Sequence, residues 1–130
     1  KYIFPNQQKN KLSIPLKSED GKNFFVFDIN RNKIKLSKIT YLNRTKSNVV
    51  LIRLDLNGAP HRNPDGKEVS GSHLHVYKEG YNDKFAVELP AEFRQISSHD
   101  IKQFFTAFMQ YCNICGLSDI MYKPFMDNIV

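Results

Sequence analysis

The chain has 130 residues and carries 19 basic against 13 acidic side chains, a net charge of +6. That length suits a single domain, 1–130, with one core, and ten Phe and six Tyr are too many for a disordered tail. No apolar run approaches the roughly 18 residues of a membrane span and no secretory leader is visible, so a soluble, cytoplasmic protein with no membrane partner is expected. The basic excess favours phosphate backbones or other acidic partners, and it fits a solvated lysine-rich surface equally well.

Residues 1–10 are polar and expected to be mobile. From residue 11 to 89 short runs of strand character alternate with turn signals. Leu12, Ile14 and Leu16 share one side of a first strand, and Pro15 marks it as an edge because proline has no N–H for a ladder bond. Asp20-Gly21 signals a hairpin before the Phe- and Val-rich run 23–29. The segment 33–42 alternates as Ile34 and Leu36, then as Ile39 and Tyr41. That change of phase between Ser37 and Lys38 predicts a β-bulge. Residues 49–56 read most clearly: Val50, Ile52, Leu54 and Leu56 face one way, Arg53 and Asp55 the other. Runs at 73–77 and 85–89 complete an antiparallel meander of about six strands, which would have to curl strongly or close into a small barrel to bury a core.

The period then changes. Ile101, Phe104, Phe105, Phe108, Met109 and Cys112 recur at helical spacing over 97–115, with Ser97 or Ser98 as cap, Asp100 completing a capping box and Gly116 as the stop. The fold class is therefore α+β, a meander followed by one packed amphipathic helix. Cys112 and Cys115 form a single CxxC on that helix. Two cysteines make neither a disulfide framework nor a complete zinc site, so a reduced, buried, structural role is expected.

Three of the four histidines, His61, His73 and His75, fall within fifteen residues. Strand alternation puts His73, His75 and Tyr77 on one side. Antiparallel pairing with 49–56 would add Arg53 and Asp55 to that side, and the long Gly- and Pro-containing connection would drape His61, Asn63 and Asp65 over it. A plain solvated strand face would also accept such polar residues. Two chemistries remain open. In a metal-free ribonuclease, two imidazoles act as base and acid on a phosphodiester while Arg53, Arg62 or Lys78 meets the developing charge and nucleic acid, with Tyr77 beside them. Otherwise His61, His73 and His75 hold a divalent metal such as zinc, with Asp55 or Asp65 as a further ligand. The stretch Asn63-Pro64-Asp65-Gly66 is first of all a turn. No phosphate-binding loop, dinucleotide fingerprint, HExxH or nucleophile elbow is present.

The run Leu51-Ile-Arg53-Leu-Asp55-Leu-Asn57-Gly-Ala-Pro-His61-Arg-Asn63-Pro-Asp65-Gly, followed by His73-Leu-His75-Val-Tyr77-Lys-Glu-Gly80-Tyr81, resembles a domain of unknown function. That domain occurs in small proteins of phages and other mobile elements of Gram-positive bacteria. The resemblance runs from about Phe24 to Cys115 and brings no established activity. It implies three roles: a toxin-like ribonuclease, a non-catalytic inhibitor of a host defence nucleoprotein of the anti-CRISPR kind, or an accessory nucleic-acid binder.

Overall fold

The computed structural model of the protein describes residues 2–117 and the backbone of 120–121. Among the described residues ten strands and two helices follow one another: β1 (Tyr2–Ile3), β2 (Lys11–Lys17), β3 (Phe24–Arg31), β4 (Ile39–Thr45), β5 (Val50–Leu56), β6 (His61–Arg62), β7 (Glu68–Val69), β8 (His73–Val76), β9 (Ala86–Glu88), α1 (Ala91–Arg94), α2 (Ile101–Tyr111) and β10 (Ile120–Met121). Six of the strands make one antiparallel sheet in the order β2-β3-β4-β5-β8-β9. Its edges, β2 and β9, do not pair with each other, so the sheet stays open and the expected barrel closure is not made.

Why an open sheet suffices is visible in its two faces. One face carries Ile14, Phe27, Ile29, Ile39, Tyr41, Leu54, Leu56 and Leu74, all buried. Onto it α2 lays Phe104, Phe105 and Phe108, and α1 adds Phe93. Helix packing thus supplies the second layer that curling would otherwise have to provide. The rings interlock. Phe27 stacks on Phe105 and Phe108 at centroid distances of 5.8 and 5.5 Å, and Tyr41 stacks on Phe108 at 5.9 Å. The Tyr41 hydroxyl donates to the Ile101 carbonyl at 2.8 Å, tying sheet to helix. The opposite face is polar. At its β2–β4 end Asp28 accepts from Ser13 Oγ at 2.5 Å and pairs with Arg44 Nε at 2.6 Å.

Several local expectations are corrected. The N-terminal residues expected to be mobile include Phe4, which is 2% exposed and meets Phe105 edge-on at 5.5 Å, and β1 pairs in parallel with β10. Residues 33–38 are a loop: Asn32 Oδ1 accepts from the amides of Ile34 and Lys35, an Asx turn that competes with strand pairing. No bulge therefore forms between Ser37 and Lys38, and the register shift falls at Asn43/Arg44 instead. The helix is shorter than 97–115. Asp100 is its N-cap, accepting from the Gln103 amide at 3.1 Å, and Ser97 only closes the preceding turn through its carbonyl. Cys112 is the C-cap and half-buried, whereas Cys115 lies beyond the helix and is exposed, not buried as expected. Among the described residues no helix is long and apolar enough to cross a membrane.

Two outcomes follow from this packing. Phe108 is fully buried between helix and sheet, so Phe108→Ala should cost about 3–5 kcal/mol by leaving a cavity, read as a fall in urea midpoint. Burial pushes the Cys112 thiol up to about 12 against a weaker opposing hydrogen bond from Asn43. Since the thiolate is the nucleophile, iodoacetamide should modify Cys115 in the native protein and Cys112 only after unfolding. Equal labelling of both would contradict that placement.

Candidate metal centre

The polar face becomes a site where β5 meets β8. Their register sets Arg53 opposite His75 and Asp55 opposite His73. Directly opposed residues on one face of an antiparallel pair stand about 4.5–5.5 Å apart at Cβ, so four chemically active side chains are forced together by pairing alone. The connection from Asn57 to Ser72 then folds back over them. Asn57, at a φ of 58°, ends β5, and its Nδ2 donates to the Ser37 and Ser98 carbonyls. The β6–β7 hairpin turns on Asn63-Pro64-Asp65-Gly66, closed by the Gly66 amide on the Asn63 carbonyl at 2.9 Å, with Gly66 at a φ of 89°.

Asn63 fastens this cover. Its side-chain amide donates to the Ala86 carbonyl at 2.9 Å and accepts the Ala86 amide at 2.8 Å. A side chain thereby pairs the outer edge of β9 as another strand would. The result is burial: His73 is 3% and His75 1% exposed. A strand face open to solvent, which the sequence allowed, is not what forms.

Each histidine commits one ring nitrogen to a backbone carbonyl, which can only accept. His73 Nδ1 donates to Gly71 at 2.9 Å, His75 Nδ1 to Asp83 at 2.8 Å, and His61 Nε2 to Lys84 at 2.7 Å. These bonds set ring orientation and tautomer. They leave the Nε2 atoms of His73 and His75 directed at one carboxylate oxygen, Asp55 Oδ2, at 3.5 and 3.4 Å. The three donor atoms lie within 4.8 Å of one another and could hold a metal ion. The His61 ring packs against His75 at a centroid distance of 4.5 Å and against His73 at 5.8 Å, but its nitrogens are not part of that donor group. A cleft of about 250 Å³ opens beside Asp55, His61 and His73, with Lys38, Thr40 and Gly58 on its walls.

Arg53 completes the electrostatics. Its Nε and Nη2 donate to Asp55 Oδ1 and Oδ2 at 2.9 and 3.2 Å, its Nη1 to Asp83 Oδ2 at 2.9 Å, and its Nη2 meets His75 Nε2 at 2.9 Å. Burial alone would push the Asp55 carboxyl up. The His75 ring beside it and Arg53, by hydrogen bond and by charge, more than offset this and hold it below the ordinary value.

The other candidates lie elsewhere. Arg62 is exposed and donates to the Gly66 carbonyl, and exposed Asp65 accepts the Lys67 amide within the turn. Tyr77 falls just past the end of β8, half in solvent, with its hydroxyl on Glu79 Oε2 at 3.2 Å. The Glu79 charge raises its phenol further, away from use as a base. Lys78 lays its ammonium over the Phe85 ring at 4.2 Å and the Tyr81 ring at 5.7 Å. Sequence reasoning did not single out Asp83, nor Lys38 and Thr40 in the cleft wall. Asp83 reaches the site from the far side of a turn, and no spacing signals it.

Fold and site together define a small antiparallel-sheet protein with a buried two-histidine, one-carboxylate cluster beside an open cleft. The chain belongs to DUF6978, a family of unknown function whose model matches residues 1–114. No curated protein and no solved structure matches it.

Removing the Asn63 clamp strands a backbone donor and acceptor on β9. Asn63→Ala should lower stability by about 1–3 kcal/mol and speed hydrogen exchange of the Ala86 amide. Asp55 supplies a pH test. A carboxyl held below its unfolded value adds stability above that value, and the contribution is lost as pH falls through the folded one. The gap in urea midpoint between wild type and Asp55→Asn should therefore narrow below about pH 4. A gap that stays constant down to the acid limb would assign the effect to another group.

Proposed function

We propose that this protein acts on nucleic acid as a phosphodiester-cleaving domain built on a divalent-metal centre of the zinc type, with Asp55, His73 and His75 as ligands. One observation carries the reading. Two imidazole Nε2 atoms, each with its Nδ1 tied to a backbone carbonyl, stand 3.4 and 3.5 Å from the same carboxylate oxygen. Those separations are long for hydrogen bonds. They match two edges of a tetrahedron, because metal–ligand bonds of about 2.0–2.1 Å set neighbouring ligands about 3.3–3.4 Å apart. Carbonyls gripping the far ring nitrogens are the usual support for such histidines.

Metal-free cleavage with His73 and His75 as base and acid fits less well. A phosphate and both its ester oxygens would have to sit between the two nitrogens. Donor atoms that converge within 4.8 Å leave room for an ion, not for that group.

Bound there, such an ion supplies Lewis-acid polarisation of a phosphoryl oxygen. The chain's own residues do the rest. His61 spends its Nε2 proton on the Lys84 carbonyl, which leaves Nδ1 as the nitrogen able to take a proton beside the cleft. Lys38, whose Cε lies 3.5 Å from the place a Gly58 Cβ would take, lines the cleft and offers a positive charge to an anionic substrate. The net charge of +6 favours approach of a polyanion. A source in phages or other mobile elements, on the resemblance given above, would make this a toxin-like nuclease.

The test is metal content by mass spectrometry of untagged protein, alongside His73→Ala, with single-stranded RNA and DNA cleavage measured before and after chelation. About one zinc per chain, lost in the variant together with cleavage, is the expected result. Protein that stays metal-free when offered zinc overturns the centre. A metal that stays while neither nucleic acid is cut overturns the catalytic role and leaves a structural ion, as a non-catalytic inhibitor of a host nucleoprotein would have.

A further inference from the structure

We infer that Arg53 is a resident cation which a divalent ion must displace, so that Arg53 sets how tightly the Asp55–His73–His75 centre holds metal. The inference rests on the metal-binding reading of that centre. Arg53 Nη2 lies 2.9 Å from His75 Nε2 and 3.2 Å from Asp55 Oδ2, the same two atoms an ion would need. In the metal-free cluster the guanidinium thus answers both a buried lone pair and a partly buried carboxylate oxygen. A second positive charge placed between those donors would stand within contact distance of Nη2, where the surrounding protein screens the repulsion poorly.

The guanidinium is planar and always charged, so it cannot relieve the repulsion by losing a proton or by folding. It can only tilt. Asp83 provides somewhere to tilt towards: its Oδ2 already accepts Arg53 Nη1 at 2.9 Å from the side of the 77–85 turn. Nη2 can leave the two donor atoms while Nη1 keeps its partner. Asp83 itself is fixed near the centre because its own carbonyl accepts His75 Nδ1 at 2.8 Å.

Two properties follow. Without metal, the cluster keeps a compensating cation, so the fold does not require the ion. With metal, binding is weakened by the Arg53 contacts that must be given up, so the ion is exchangeable and its affinity is lower than the three ligands alone would allow.

Zinc affinity is to be measured by competition with a chromophoric chelator for wild type, Arg53→Gln, Asp83→Asn and the exposed-charge control Lys67→Gln. Arg53→Gln should bind zinc at least about tenfold more tightly than wild type, and Lys67→Gln within about twofold of it. Asp83→Asn should bind more weakly, because the displaced guanidinium has lost its charged partner. The metal-free wild type should remain folded by circular dichroism. Equal or weaker binding by Arg53→Gln overturns the inference, as does an equal gain in Lys67→Gln, which would show a general charge effect. Should Arg53→Gln fail to fold, an unchanged affinity in Asp83→Asn overturns it in the same way. Failure of the metal reading looks different: no zinc is taken up by wild type or by Arg53→Gln.

Discussion

A carboxylate withdrawn from water has to be met by hydrogen-bond donors or by positive charge. In this protein Asp55 is met by Arg53 from its own strand, and two imidazoles from the neighbouring strand turn Nε2 toward the same carboxylate. Everything else about the site follows from that requirement. Arg53 needs a second acceptor for its other end, and Asp83 supplies it. The two histidines must turn their Nε2 atoms inward, and the Gly71 and Asp83 carbonyls hold them so. Without the β5–β8 register the Arg53–Asp55 pair and the His73–His75 pair would not meet.

The two faces of the sheet divide the labour. The aromatic layer under α2 supplies the apolar burial that stabilises a chain of this size. The polar face is then free to carry groups that would weaken a core. Its burial is achieved locally, by a two-strand hairpin held down by Asn63 on Ala86 and His61 on Lys84. That economy explains why a cleft remains. The 57–72 connection covers His75 and most of His73 while leaving a cleft lined by Lys38, Asp55, His61 and His73.

Arg53 gives the centre its particular character. A centre whose ligands had no other cation nearby would depend on metal for its fold, as small zinc domains do. Here Arg53 already pairs with Asp55 without metal. The same contact links the sheet to the chemistry, since Arg53 reaches β8 through His75 and the following turn through Asp83.

Much of this was legible in the sequence, because strand alternation is a local property. Period-two patterning at 50–56 and 73–76 was enough to put Arg53, Asp55, His73 and His75 on one side, and the helical recurrence of Phe104, Phe105 and Phe108 was enough to mark the packed helix. What periodicity cannot carry is depth, closure or the path of a loop. A strand face reads alike whether it is solvated or covered, and only the return of the Asn57–Ser72 connection, clamped by Asn63 on Ala86, buried the histidines. The sheet stayed open because α2 supplied a second layer, which no strand pattern records. Asx bonding by Asn32 turned an alternating stretch into a loop, and the core position of Phe4 arose from a contact with a helix a hundred residues away. Asp83 joined the site, and Asp65, Arg62, Tyr77 and Lys78 did not, for the same reason. Residue type and strand phase are written along the chain, whereas distance between side chains is decided only when separate segments pack.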